Sequence, residues 1–455
     1  RPPRSTLFPY TTLFRSSSLL LAALAWGTPL QVSAAKKAAT NNKFAGYLFA
    51  YFEGSGNQQE HLRFAISEDA KNWYALNDNQ PVIASDSIST SGGIRDPHIL
   101  RGEDGCYYIV ATDMNTVKNG WKDNPGIVLM KSKDLVNWTH SKIVLKEDYK
   151  EHFSDAYWVW APQTIYDKKA KKYMIYFTLQ RTGDGRKSLV TYYAYANKDF
   201  TGFESEPKVL FNAKYGCIDN DIIERNGVYH MFYKGNIKNA EGKEIQNGIQ
   251  QATAKNLKGP WKEDFKFIDA YADTKTGVEG SGVFKLNDKN EYVLMYDLYG
   301  SGRYEYQTSK DLNTFSTKPE SFRKDFFPRH GTVCSVTKDE MERLQQKWGY
   351  VLNRSYTGQG NPILPGFHAD PEILYSNKTG KYYIYSTTDG KPGWGGYKYY
   401  VYSSSDLKEW KNEGVALDAK SDQISWANGN LWAPAAIEVK QKNGSYKYYL
   451  YFKIG

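Results

Sequence analysis

This 455-residue chain is poor in cysteine, in long apolar runs and in clustered charge of one sign. Its three cysteines, Cys106, Cys217 and Cys334, cannot form an even disulfide set and have no metal-ligand spacing. Each lies in or beside an apolar strand-like run, so each is expected to be a small buried hydrophobe. No apolar stretch is long enough to anchor the chain across a bilayer. The most apolar, residues 19–26, precedes Val32-Ser33-Ala34 and a polar stretch. That order reads as a cleaved export leader within residues 1–35, which implies a secreted or periplasmic protein. Upstream of it, residues 9–15 resemble translated adapter sequence, so residues 1–16 are expected to lie outside the fold. The net charge is +9, yet the lysines are scattered through turns such as residues 167–172 and no arginine-rich run occurs. Nucleic acid is therefore not the expected partner. Good helix-forming sequence is confined to residues 338–347.

Aromatic residues are abundant, at 15 %, as half-buried strand faces require. Apolar runs alternate with Asp/Gly/Asn/Lys turns between residues 60 and 340, Asn226-Gly227 being a two-residue hairpin signal. A short tail recurs among these turns: Ser67-Glu68-Asp69-Ala70, Ser132-Lys133-Asp134-Leu135, Asn197-Lys198-Asp199-Phe200, Ala254-Lys255-Asn256-Leu257 and Ser309-Lys310-Asp311-Leu312, each with Trp or Phe three to four residues on. A long period built from short strands predicts an all-β fold, a β-propeller with one four-stranded sheet per blade.

The blade starts carry the chemistry. Arg95-Asp96-Pro97-His98, Trp160-Ala161-Pro162, Ile218-Asp219-Asn220-Asp221, Val278-Glu279-Gly280 and Arg329-His330-Gly331 fall at matching phases of the repeat. The first strand of each blade lines the central channel, so Asp96, Asp219 and Glu279 are expected to meet at one end of it. Like charges held together cost stability unless a proton or ligand is shared. Paired carboxyls suit glycoside hydrolysis, one protonating the leaving oxygen and one activating water. A third carboxylate beside the acid keeps it protonated.

These motifs, in this order, resemble those of glycoside hydrolase family 43, five-bladed propeller enzymes acting on arabinose- and xylose-containing polysaccharides. The resemblance implies an inverting mechanism with Asp96 as general base, Glu279 as general acid and Asp219 as the residue that orients the acid and raises its pKa. It implies Trp160, with Trp158 as a second possibility, as the aromatic floor of the sugar site. His330 matches the channel histidine, which in some members touches a water or a cation such as calcium; the chemistry itself requires no cofactor. Arg303 could bind a substrate hydroxyl or make a blade-edge salt bridge. The family's third-blade motif usually has Pro where this chain has Asn220, which leaves Asp219 and Asp221 as alternatives for the inward acid.

The pattern then restarts. Ala369-Asp370-Pro371 echoes Asp96-Pro97, Ser404-Ser405-Asp406-Leu407 echoes the tail, and Trp432-Ala433-Pro434 echoes Trp160-Ala161-Pro162. The expected organisation is a propeller over residues 44–347, a linker over 348–360 and the first blades of a truncated second propeller over 361–455. Expected activities are α-L-arabinofuranosidase or β-xylosidase type on an oligosaccharide or polysaccharide. Endo-arabinanase and galactan-active enzymes of the same family are alternatives. A non-catalytic sugar-binding propeller and a retaining fructan-active propeller are rivals from other classes. Oligomeric state has no sequence signal.

Overall fold

The computed structural model describes residues 43–454 except 57–58, 239–243, 272–275, 300, 302, 325, 350–354, 358–362, 365–367, 389–395, 422–423 and 427–428. The expected leader lies outside the described residues, and so does most of the expected linker. No described helix is long and apolar enough to cross a membrane.

Five four-stranded antiparallel sheets make the propeller. Strands β1 (Phe44–Tyr51), β2 (Arg63–Ser67) and β3 (Tyr74–Ala75) form the outer part of one blade. The next is β4 (Ile94–Arg101), β5 (Tyr107–Asp113), β6 (Gly126–Ser132) and β7 (Trp138–Val144). Then come β8 (Ala156–Asp167), β9 (Lys172–Arg181), β10 (Val190–Tyr195) and β11 (Lys208–Phe211). The fourth is β12 (Cys217–Arg225), β13 (Val228–Lys238), β14 (Glu244–Ala254) and β15 (Lys262–Phe267). The fifth is β16 (Glu279–Lys285), β17 (Tyr292–Leu298), β18 (Arg303–Ser309) and β19 (Glu320–Ser321). Strand β20 (Thr332–Thr337) returns to pair with β1, Leu48 opposite Cys334, and supplies the missing inner strand of the first blade. The inner strands β4, β8, β12, β16 and β20 pack in sequence around a ring that closes between β20 and β4.

The recurrent tail is the turn from third to fourth strand. In Ser132-Lys133-Asp134-Leu135 the Asp134 carboxylate accepts from Val136 N and Asn137 N at 2.9 and 2.7 Å, and the Ser132 hydroxyl accepts from Leu135 N at 2.9 Å. Leu135 takes a positive φ of 67°, and Trp138 Nε1 donates back to its carbonyl. Ala70 and Leu312 repeat this conformation. Asp69 and Asp311 cap their turns in the same way, so these three aspartates are turn-formers. Apolar faces of adjacent blades meet in aromatic-rich layers; Phe49, for example, packs on Trp73, Tyr304 and Phe326. All three cysteines are buried free thiols.

Each of the strands β4, β8, β12 and β16 carries a β-bulge at its channel end. The bulge residue is left-handed in every case: Asp96 (φ 50°), Ala161 (47°), Asp219 (57°) and Gly280 (67°). Three residues further on, each strand turns a backbone N–H toward the preceding blade. Ile99 N donates to Thr332 Oγ1 (2.7 Å), Thr164 N to His98 Nδ1 (3.3 Å), Ile222 N to the Tyr176 hydroxyl (3.0 Å) and Val283 N to Asp221 Oδ2 (2.6 Å). The helix Lys338–Trp348 follows β20 with a Thr337–Glu340 capping box.

Beyond residue 354 the described residues form a second unit. Residues 355–357, expected within the linker, instead pair as β21 (Ser355–Thr357) with β25 (Glu409–Asp418). They complete a sheet with β22 (His368–Ser376), β23 (Lys381–Thr388) and β24 (Lys398–Ser404). Strands β26 (Leu431–Lys440) and β27 (Tyr446–Ile454) form a second, two-stranded sheet. Asp370 and Ala433 repeat the left-handed bulges at φ 45° and 46°.

Thr332 both accepts from Ile99 N and donates to Pro97 O, tying the closing strand to β4. Thr332→Val leaves a buried amide unsatisfied and should destabilise the protein by about 1–3 kcal/mol in urea unfolding. An unchanged midpoint would refute this account of ring closure.

Candidate active site

The bulges decide which side chains reach the channel mouth. A bulge puts two residues opposite one and turns the side chain that would otherwise continue the pleat. One pocket is lined by Arg95 and Asp96 from β4, Trp160 from β8, Ile218 and Asp219 from β12, Glu279 from β16, and Arg329 and His330 ahead of β20. Phe52, Met114 and Trp121 complete its wall, and its empty space is about 450 Å³ with the open mouth included. Aligned on the left-handed residue, Glu279 corresponds to Arg95, Trp160 and Ile218, one position before Asp96 and Asp219. The three acids therefore reach the pocket from two adjacent phases of the bulge. Gly280 is needed there on two counts: its φ is positive, and a Cβ would come within 2.8 Å of the His330 Cβ.

Asp219 and Asp221 part company. Asp219 lines the pocket, and its Oδ2 accepts from Gly280 N at 2.8 Å, which grips the backbone beside Glu279. Asp221 lies deeper, where it accepts from Val283 N and stands 3.9 Å from His98 Nε2. Burial pushes the Asp221 carboxyl up to about 7 and the His98 imidazole down to about 3. With Nδ1 accepting from Thr164 N, His98 is a neutral structural acceptor. Asn220, where the family pattern has Pro, is buried and bonds Thr191 Oγ1.

His330 stands between two acids. Its Nδ1 is 3.5 Å from Asp96 Oδ1 and 3.7 Å from Asp219 Oδ1, ion-pair distances without a well-aligned hydrogen bond. Burial alone would lower this imidazole, but Asp219, Asp96 and Glu279 outweigh it and raise it to about 9. Asp96 is buried too, yet His330, Arg95 and the Thr112 hydroxyl hold its carboxyl below the usual aspartate value. Asp219 goes the other way: burial, Glu279 and Asp96 push it up to about 6 against His330 and Gly280 N. One carboxylate is thus kept ionised, as a general base must be, while its neighbour Asp219 carries its charge only above about pH 6.

A cationic imidazole has no lone pair for a metal. Among the described residues no group of three or more His, Cys, Asp or Glu is placed to hold a metal ion. In the metal-free site His330 is thus an ion-pair partner of the acids rather than a ligand.

Glu279 is held at both oxygens. Arg329 Nη2 lies 3.1 Å from Oε1 and Lys234 Nζ 3.2 Å from Oε2. Arg329 also pairs through Nε with Asp297, which is 1 % exposed and raised to about 6, mainly by burial. Lys234 lies 4.6 Å from the Tyr299 ring centroid. Lys234, Asp297 and Arg329 escaped the sequence reading. Arg329 stood beside His330 in its motif, whereas Lys234 and Asp297 lie near the ends of apolar second strands that carry no local signature.

The aromatic residues assemble beside the acids. Trp158 stacks on Trp160 with ring centroids 3.9 Å apart, and Trp121 meets Trp160 edge-on. Trp160 Nε1 donates to Asn124 Oδ1 at 2.9 Å. Arg95 is sandwiched between Phe52 and Trp121 and paired with buried Glu60 at 2.8 Å, so the wall is braced from behind. Arg303 is not brought to the pocket. It sits exposed on β18 and pairs with Glu305 at 3.3 Å, the blade-edge bridge that was its alternative.

A propeller whose bulged inner strands converge carboxylates beside an aromatic wall is the architecture of a sugar-cleaving domain, and comparison with known proteins names it. Residues 42–342 match the family-43-related model described as a probable glycosyl hydrolase domain, and residues 359–454 match the model for glycosyl hydrolases family 43. The chain belongs to glycoside hydrolase family 43. An α-L-arabinofuranosidase of Bifidobacterium longum subsp. longum is 27% identical over 294 residues, covering 55% of this chain and 27% of that protein. The chain spans less than a third of the length of the curated relatives it matches. Two solved Bacteroides thetaiotaomicron structures are also similar. An endo-arabinase has a TM-score of 0.40 and 16% identity, with coverage of 65% of this chain and 95% of that one. An endo-1,4-beta-xylanase has a TM-score of 0.44 and 17% identity, with coverage of 63% and 94%.

Because His330 is raised above its free value of 6.5, its ion pairs stabilise the fold fully below 6.5, and that stabilisation is lost as pH rises through about 9. In a histidine NMR titration His330 should lose its second ring proton near pH 9, and His98 should gain none above about pH 3. A His330 titration near 6.5 would mean that the ion pairs do not form.

Proposed function

We propose that this protein is an inverting, exo-acting glycosidase of α-L-arabinofuranosidase or β-xylosidase type. The observation that carries the reading is the convergence of Asp96, Asp219 and Glu279 on one pocket around His330. Glu279 protonates the glycosidic oxygen and Asp96 takes the proton from the attacking water. Asp219 holds the backbone beside Glu279 through Gly280 N and so orients the acid. His330 remains a cation that keeps Asp96 ionised. Trp160, backed by Trp158, offers the flat apolar face that a sugar ring stacks on. The arabinofuranosidase relative favours arabinose among the sugars. Such an enzyme works outside the cytoplasm if the apolar run at residues 19–26 is its export leader.

The test is hydrolysis of aryl α-L-arabinofuranoside and aryl β-D-xyloside by the wild type, Asp96→Asn and Glu279→Gln. One substrate should be cleaved with inversion, followed by NMR of the released sugar, and both variants should lose 10³-fold or more. Full activity in either variant would remove that acid from the mechanism, and a retained anomer would point to the fructan-active type of chemistry. Cleavage of arabinan or galactan but of neither aryl glycoside would favour endo action.

A further inference from the structure

Thr112 is the second-last residue of β5 and is fully buried. Its hydroxyl oxygen accepts from Ala161 N at 2.8 Å, and its single proton points to Asp96 Oδ2 at 2.9 Å. A hydroxyl has one proton and two acceptor lone pairs. With the Ala161 amide filling one lone pair, the proton is directed at the carboxylate. The left-handed bulge at Ala161 aims that amide, so the Trp160-Ala161-Pro162 motif and the Arg95-Asp96-Pro97 motif of neighbouring blades join through one threonine.

The second unit builds the same linkage independently. Ala433 N donates to Thr387 Oγ1 at 2.9 Å, and Thr387 Oγ1 donates to Asp370 Oδ2 at 3.3 Å. The aspartate and alanine are left-handed in both copies. Asp219 is held differently, by the Gly280 amide directly. The threonine therefore accompanies the Asp96-type position in particular.

We propose that Thr112 is a positioning residue for the general base: oriented by the Ala161 amide, it locks one oxygen of Asp96 and leaves the other for His330 and the attacking water. The inference rests on the reading of Asp96 as base. Besides Thr112, Asp96 shares the site with Arg95 on its own strand, Asp219 from β12, Glu279 from β16, and Arg329 and His330 ahead of β20; β8 contributes only Trp160. A hydrogen bond to the ionised carboxylate favours that form, and the base must be ionised to act. Loss of the bond must therefore move the acid limb of activity to higher pH.

The experiment is the pH profile of kcat/KM for the full chain carrying Thr112→Val, Thr112→Ser and Thr387→Val. Thr112→Val should lose about 10-fold at the optimum and move the acid limb up by about one pH unit. Thr112→Ser should restore both, and Thr387→Val, the same lesion in the second unit, should change neither. Should Thr112→Val fail to fold, Thr112→Cys, whose thiol is a weaker donor, should give a smaller move in the same direction. An acid limb that stays in place overturns the proposal even if activity falls, since a merely structural threonine would scale the whole profile. Retention of activity by Asp96→Asn would instead overturn the reading of the base.

Discussion

The inner strand of a propeller blade has a sheet partner on one side only, and the amides it turns away from that partner must be satisfied across the gap to the next blade. In this protein the third amide after each bulge is the point of contact, and the acceptors are Thr332, His98, Tyr176 and Asp221. Four unlike side chains thus do one job at one phase of the repeat. The requirement follows from the cost of burying an unpaired N–H. It explains why a buried histidine and a buried acid sit deep in the channel without being parts of the reaction. It also holds the bulges in register, and the bulges in turn aim the acids.

Charge is the second constraint. Asp96, Asp219, Glu279 and Asp297 face His330, Arg329 and Lys234 in a largely buried setting. Four carboxyls against three cations balance when the carboxyls share one proton, which is the state an acid catalyst needs. Burial and mutual repulsion favour that proton, and the cations decide where ionised oxygens are tolerated. Arg329 is the hinge of the arrangement, since it touches both Glu279 and Asp297.

The second unit repeats the local geometry of the first two blade starts closely enough to rebuild the aspartate–threonine–alanine linkage. Left-handed aspartate and alanine are strained conformations that persist only when their surroundings over-determine them. Their recurrence ties the strain to the motif itself rather than to one blade.

Much of this was legible in the sequence because it is local or periodic. The tails mark the third-to-fourth strand turns, since a Ser-x-Asp-Leu pattern satisfies its own backbone. The blade starts mark the inner strands, and their phase brings the segments that carry Asp96, Asp219, Glu279, Trp160 and His330 to one mouth. The capped helix at residues 338–348 is equally local. Only the tertiary structure could decide between Asp219 and Asp221, because a bulge, not the alternation of the strand, sets which one turns inward. Only it could bring Lys234, Asp297 and Thr112 to the acids, since second strands carry no motif and their ends are placed by register with the first. It likewise left Arg303 on the outer face and drew residues 355–357 out of the expected linker into a sheet. Periodicity determines which strand lines the channel, but the direction of each side chain depends on hydrogen bonds between blades, across 46 to 233 residues of sequence.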